Sequence, residues 1–362
     1  MIFTTTTQLK TAIGGSINVS LELDSINPTL LDVAEVYVLP YLGQTTFDAL
    51  RDYVAADYTP TDAALNALLP YARAPIGAIG AAEYSKLGGI QFGESGLFRI
   101  ETDDKKSPYK YQENDYRYTL LTQGYNSIER MILFLEKNKA DYPDWVDEAR
   151  EYCRGLFVST AADLRAAYGK GIDRQIYEVL RPLIADMEVF LILSSIGQEQ
   201  FDALKELQLE DATTLTYAQS QALTRLRKAI SLGAIQESLR RNIIQLKGDR
   251  IIQAEALEPQ SSLKEGVPAN PALSLSSVHM QEWKERHLSY FLKWLTDNPT
   301  TFPEYETYLA AEAAAEAAAS TADCTGDPTW SPCPDDPDSR CSLGWLTPPE
   351  YTPRSGTGIV NL

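Results

Sequence analysis

The sequence predicts a mainly α-helical chain: a tandem duplication of one helical-bundle unit, each copy with a small β-hairpin, followed by an extended C-terminal tail. Three observations lead there. A nine-residue segment recurs 154 residues later (Gly43 to Gly197), apolar residues follow helical spacing over most of the chain, and the composition breaks after Asp323. The boundaries they set are an N-terminal arm at 1–26, a first unit at 27–170, a second at 171–322 and the tail at 323–362.

The repeat is clearest in Leu42-Gly43-Gln44-Thr45-Thr46-Phe47-Asp48-Ala49-Leu50 against Ile196-Gly197-Gln198-Glu199-Gln200-Phe201-Asp202-Ala203-Leu204, with six of nine positions identical. Two further pairs follow in the same order. Gly77-Ala78-Ile79 resembles Gly233-Ala234-Ile235, at an offset of 156. Phe134-Leu135 through Asn138, closing on Tyr142-Pro143-Asp144-Trp145, resembles Trp294-Leu295 through Asn298, closing on Phe302-Pro303-Glu304-Tyr305, at 160.

Within the first unit, residues 28–41 present an apolar helical face that Gly43 ends as a left-handed residue. Thr45 is the expected N-cap of the next helix, with Asp48 three residues on and Phe47 and Leu50 pointing inward. The second unit has Glu199 where that cap would be. A third helix is expected over 61–86, kinked or split by Pro70 and Pro75, with a straighter counterpart at 216–245. Residues 88–100 alternate around Gly-Glu-Ser-Gly and read as a β-hairpin, as do 243–256 turning near Gly248-Asp249. Long helices are expected at 116–138 and 144–168, and at 278–297 and 303–319 in the second unit. Alternation near residues 17–22 gives the N-terminal arm the look of a strand.

After residue 323 the chain turns to Pro, Asp, Ser, Gly and Thr, a composition that forms no core alone. Trp330, Trp345 and Tyr351 are spaced along it as anchors, and with Phe92 and Phe98 of the first hairpin they are the candidate partner contacts.

No catalytic, cofactor-binding or metal set emerges. His279 and His287 stand eight apart, roughly 12 Å along a helix, whereas a shared metal needs a spacing of three or four. Cys324, Cys333 and Cys341 lack the short spacing of a zinc pair, and with Cys153 they form no secreted-type disulfide framework. The glycine-rich segment 88–96 has no Gly-Lys-Ser/Thr for a phosphate cradle. Arg225, Arg227, Lys228, Arg240, Arg241, Lys247 and Arg250 form the densest positive stretch, read as a solvated face. Fifty acidic against 32 basic residues, a net charge of −18, argue against sequence-independent binding to a nucleic-acid backbone. Residues 1–10 lack the form of a secretory signal, and the longest apolar run, 187–196, is interrupted by Glu188 and two serines. A cytosolic protein with no membrane partner is expected. Twenty tyrosines, with Tyr109, Tyr111, Tyr116, Tyr118 and Tyr125 clustered, fit protein contact or helix packing better than catalysis.

The Gly-Gln-x-x-Phe-Asp-Ala-Leu turn, the glycine-rich hairpin and the duplicated helical unit resemble an uncharacterised family of phages and prophages of Bacteroides-type bacteria. Its members resemble the head-to-tail connector (adaptor) proteins of tailed phages, and the resemblance covers most of residues 27–309. It implies a ring of about twelve copies beneath a portal protein in the virion neck. Hairpin and tail would contact neighbouring subunits and tail or other neck proteins, and DNA would pass through the lumen without specific binding. The location implied is the virion, and the host cytoplasm during assembly. A non-viral helical scaffold is the alternative the residues leave open.

Overall fold

The computed structural model describes residues 1–14, 22–59, 61–86, 90–93, 96–99, 110–169, 171–210, 213–241, 243–247, 250–253 and 271–323. They are mainly α-helical. The first stretch holds α1 (Thr6–Ala12), α2 (Leu23–Val33), a π-helical turn (Ala34–Val38), α3 (Leu39–Leu42), α4 (Gln44–Ala55) and α5 (Ala63–Ser85). Strands β1 (Ile90–Gly93) and β2 (Gly96–Arg99) pair antiparallel before α6 (Lys110–Lys137). Three short helices follow: α7 (Pro143–Glu148), α8 (Arg150–Arg154) and α9 (Ala161–Tyr168).

The order then recurs. Helix α10 (Arg174–Met187) runs into a π turn (Glu188–Leu193), α11 (Ser194–Ile196), α12 (Gln198–Leu209) and α13 (Tyr217–Arg240). Strands β3 (Ile244–Lys247) and β4 (Arg250–Gln253) pair antiparallel, and α14 (Pro271–Thr296) and α15 (Pro303–Asp323) close the series. Residues Met1–Ala310 form one compact unit, and Ala311–Leu362 are a second. Inside the first unit lie two main cores. One gathers side chains from Ile2 and Leu9 through Trp145 to Cys153, the other from Phe157 to Tyr305.

Helix starts follow capping chemistry. Asp62 accepts the Leu65 N–H at the start of α5 (2.9 Å), and Thr216 with Gln219 forms a reciprocal box at the start of α13. Pro70 and Pro75 do not split α5, which runs unbroken from Ala63 to Ser85. Each proline frees the carbonyl four residues back, on Asn66 and Tyr71, and both residues are exposed. Packing of the apolar side of α5 on α2 and α6 then holds the helix together.

The glycine turns are tighter than a left-handed cap. Gly43 has φ 80 and ψ 151, and Gly197 φ 77 and ψ 165, a combination open essentially to glycine alone. Each closes one helix and begins the next: the Gly43 N–H donates to Leu39 O (2.9 Å), and its carbonyl accepts from Phe47 N–H (3.1 Å). Gly197 repeats this with Leu193 (3.0 Å) and Phe201 (3.1 Å).

Thr45 is not the cap. It sits inside α4, and Glu148 of α7 supplies the acceptors, taking the Thr45 N–H (3.0 Å) and the Thr45 hydroxyl. Hydrogen bonds from that hydroxyl and then from the backbone hold the Glu148 carboxyl below the usual carboxylate range. At the matching place against Gly197 stands the Tyr308 ring, whose hydroxyl donates to Ser194 O (3.2 Å). What persists on the helix itself is a side-chain pair: Gln44 donates to Asp48 (2.9 Å), and Gln198 to Asp202 (2.8 Å).

Other expectations are corrected by the chain's own packing. The first helix of the series begins at Leu23, not at 28, and Pro28 lies within it. Residues 6–12 are helical rather than an extended arm, with Ile2, Phe3 and Leu9 buried in the first core; residues 15–21 lie outside the described set. The helix expected at 144–168 is broken into three, because Ala149 leaves helical geometry and residues 155–160 run non-helically. The Gly77 and Gly233 match is out of register. The caps Asp62 and Thr216 stand 154 apart on uninterrupted helices, so Gly233 falls opposite Ile79. Contacts agree: a β-carbon on Gly124 of α6 would meet Ile79 at 2.4 Å, and one on Gly233 would meet Lys284 of α14 at 3.4 Å and Met187 at 2.9 Å.

Substituting Gly43 or Gly197 by Ala should cost about 1–3 kcal/mol from the backbone alone. Gly197→Ala should cost more, since its β-carbon would lie 2.5 Å from the Tyr308 ring, whereas at Gly43 it meets the movable end of Glu148. Urea unfolding of both variants checks the order.

Candidate functional site

The helices form an ordered stack. Helix α2 packs on α5, α5 on α6, α6 on α10, α10 on α13 and α13 on α14. The step from α6 to α10 joins the two cores, and a buried charge cluster fills it. Arg174, 1% exposed, donates from Nη1 to Glu129 of α6 (2.6 Å) and from Nε to Glu178 (2.5 Å). Its guanidinium lies 5.1 Å from the Tyr41 ring centre and 4.4 Å from that of Tyr177. Burial pulls the Arg174 pKa down, but Glu178 and Glu129 outweigh it and leave the group above its ordinary value. The other oxygen of Glu129 accepts the Ala161 N–H at the start of α9 (3.1 Å).

The segment between α8 and α9 is clasped by the same kind of chemistry. Glu188, buried in the second π turn, accepts the Phe157 N–H (2.5 Å) and pairs with Lys205, which donates to Gly155 O (2.5 Å). Burial raises the Glu188 pKa, and Lys205 opposes the rise. Arg227 donates to Phe157 O (3.0 Å) and to Gln208 (2.5 Å), and Arg181 to Tyr152 O (2.5 Å). Arg150 holds Glu136 with two bonds (3.1 and 2.9 Å) and reaches Leu209 O (2.6 Å). This is a structural joint, since every charge named is spent on a neighbour.

The positive stretch is therefore not one solvated face. Arg227 is engaged inside the joint, and Arg225 lies 4.5 Å from the Trp294 ring. Arg240 and Arg241 both grip Glu237 (2.7 Å each), holding its carboxyl down to about 2, chiefly through the Arg240 hydrogen bond. Cys153 is buried with its thiol pushed up to about 12 by burial, a packing residue rather than a nucleophile. His279 is exposed near Glu282 (3.9 Å), and His287, part-buried, has its pKa lowered by burial and then by Lys228, Arg286 and Arg225. Among the described residues no group of three or more His, Cys, Asp or Glu could hold a metal, and no helix is long and apolar enough to cross a membrane. A recess of about 160 Å³ lined by Pro70, Tyr71, Ala74, Ser127 and Arg130 offers one charged group, Arg130, which donates a hydrogen bond to the Ser127 hydroxyl (2.7 Å).

Two exposed apolar side chains stand at like places in the two halves of the series. Each π turn lies six residues after a proline, Pro28 or Pro182, and projects an apolar residue at the matching place: Val36 is 65% exposed and Phe190 74%. Such turns recur at functional positions because the extra residue re-aims the side chains beside it. Both lie 154 residues apart, and so do Pro28-x-x-x-Asp32 and Pro182-x-x-x-Asp186, a signal in the sequence that the larger Gly motif overshadowed. Of the clustered tyrosines, Tyr116 and Tyr118 are exposed, while Tyr125 meets Tyr37 edge-on at 6.3 Å.

Of the five predicted partner contacts, β pairing sets Phe92 opposite Leu97 and Phe98 opposite Gln91. Trp330, Trp345 and Tyr351 lie outside the described residues, as do Cys324, Cys333 and Cys341.

Residues 38–153 match a family of unknown function, DUF6712. The span opens at the end of the first π turn, takes in the Gly43 turn, and ends at Cys153, the last member of the first core. No curated protein and no solved structure matches the chain.

Two sets of measurements check the joint and the Glu237 ion pair. Arg174→Ala leaves Glu129 and Glu178 without their cation and should lower the unfolding free energy by about 3–5 kcal/mol. Adding Glu129→Gln to Arg174→Met should recover part of the loss, read by denaturant titration. For Glu237 the folded pKa lies below its ordinary 4.5, so its contribution is present above about 4.5 and lost as pH falls towards about 2. Glu237→Gln should flatten the acid limb of the stability profile in that window.

Proposed function

We propose that this chain is a structural virion protein, a subunit of the head-to-tail connector ring in the neck of a tailed bacteriophage. It would dock on the portal protein on one side and on the tail or other neck proteins on the other, with DNA passing the lumen unbound. The observation that carries the reading is the open-ended helix stack. Two like-ordered sets of helices meet through one joint and leave unlike helices, α2 and α14, at the two ends. A subunit with unlike ends suits repeated association into a closed ring. The acidic balance of the chain supports a lumen that does not retain DNA.

We also read the two halves as copies of one unit, each with one hairpin. The paired glycine turns, the Gln44–Asp48 and Gln198–Asp202 bonds, the proline-led π turns and the two strand pairs support this. The copied features are backbone geometry and contact, and the repeated carboxylates Asp48 and Asp202 are each spent on a glutamine one turn away. No catalytic residue, cofactor or metal is assigned. A non-viral scaffold would use the same faces, and the site of expression separates the two.

Electron microscopy of the purified protein and of particles from a producing strain should show a closed ring at the neck. A protein that is strictly monomeric and absent from particles would overturn the reading.

A further inference from the structure

We infer that the seam between α13 and α14 is a seat for an acidic peptide segment of a partner protein, held by Arg225, Lys228, Arg286 and His287 beside exposed tyrosine rings. The seat supplies a partner chemistry for the assembly reading above and is judged separately, by binding rather than by particle shape.

The chain carries 50 acidic residues, yet neither 217–236 nor 286–296 contains one. These stretches lie side by side where α13 packs on α14. Arg225 rests its guanidinium 4.5 Å from the Trp294 ring, which is itself fixed by its N–H to Ala218 O (3.0 Å) and by Tyr217 edge-on (6.3 Å). Lys228 follows one turn along α13. From α14 come Arg286 and His287, and the charges that act on His287 are Lys228, Arg286 and Arg225, all positive. Among the described residues none of these four side chains is ion-paired, and Arg225 Nε has no acceptor. The acids of α14 are turned elsewhere: Glu282 and Glu285 stand about 140° and 160° round the helix from His287. Glu282 lies near His279 (3.9 Å), Glu285 accepts from Gln281, and Asp297 pairs with Lys293 (3.3 Å).

The like place in the first half is a recess. At offsets of 154 and 160, Tyr71, Ala74, Ser127, Arg130 and Phe134 match Arg225, Lys228, His287, Tyr290 and Trp294. The second offset is held by Asn138 and Asn298, which donate to Phe134 O and Trp294 O, each at 2.8 Å. Tyr71 stacks on Phe134 (4.3 Å) as Arg225 lies on Trp294, and Tyr71, Ala74, Ser127 and Arg130 line the recess of about 160 Å³. Both halves therefore lay a flat group on a ring of the facing helix, and the second half surrounds it with cations.

A short acidic segment fits this seat better than a long polyanion. Surface cations act over roughly 8 Å at physiological salt, so a few carboxylates feel these and not the distant acids. A nucleic-acid backbone spans far more of a chain with a net charge of −18. Tyr217 is 74% and Tyr290 49% exposed, rings that apolar side chains of a peptide would cover and a bare phosphate would not. From Tyr217 to Lys228 is about 16 Å, the length of about five extended residues.

Fluorescence anisotropy of a labelled peptide alternating Glu and Phe, added to the full chain, tests this. It should bind, and its Gln–Phe counterpart should not. Arg225→Gln with Lys228→Gln should weaken binding about tenfold or more, while Arg51→Gln with Lys86→Gln, the same charge change placed elsewhere, should leave it unchanged. Lys228→Glu alone, which spares the Trp294 stack, gives the same readout where the pair loses helicity by circular dichroism. The His287 imidazole, followed by NMR, should titrate higher with the peptide bound, because the added carboxylates offset the surrounding cations. A wild type that ignores the peptide or binds both peptides alike would overturn the seat, as would folded variants that bind like the wild type or a His287 titration that does not move. Displacement of the peptide by an equal concentration of inorganic phosphate would overturn it too, leaving a seat for a free oxyanion only. A ring seen without peptide binding leaves the connector reading standing and sinks this one.

Discussion

The arrangement of the molecule hangs on one buried guanidinium. Arg174 has almost no access to water, and a charge in that position persists only when its partners are fixed around it. Glu129 reaches it from α6, Glu178 from its own helix, and the rings of Tyr41 and Tyr177 flank it. Because Glu129 also holds the first turn of α9, the same cluster fixes where the second core begins. The π turn of the second half contributes Glu188 to the clasp on residues 155–158, which links a local widening of one helix to the seam between cores.

Much of this was legible in the sequence, and the failures have physical causes. The glycine turns could be read because no other residue adopts their backbone, so identity and geometry coincide at Gly43 and Gly197. The aromatic corners at Tyr142 and Phe302 were likewise visible, since Pro143 and Pro303 begin helices and Trp145 and Tyr305 are buried beside them. The cap of α4 was not visible, because its acceptor comes from Glu148, 103 residues from Thr45. The prolines of α5 misled because propensity counts the lost hydrogen bonds and not the packing on α2 and α6 that outweighs them. The positive stretch misled for the opposite reason: Arg227 looks like a surface charge in sequence and is consumed by a backbone carbonyl and Gln208. The aromatic contacts proposed in the tail lie beyond the described residues.

The chain spends much of its polar chemistry on its own structure. Charged side chains clasp a seam or close helix ends, and large exposed side chains occur both on the π turns and along the helices. The strong, desolvated interaction is kept for the join made once during folding.

The close approach of Gly124 to Ile79 has a consequence for how such a unit can change. A β-carbon on Gly124 would lie 2.4 Å from Ile79 Cγ1 and 3.2 Å from the Ile79 backbone nitrogen, so the glycine sets how near the axes of α5 and α6 can come. A larger residue at 124 drives two side chains into one space, and a smaller one at 79 opens a void, so either change alone costs stability. The two positions are coupled through the distance between two axes, and substitutions there are tolerated as a pair.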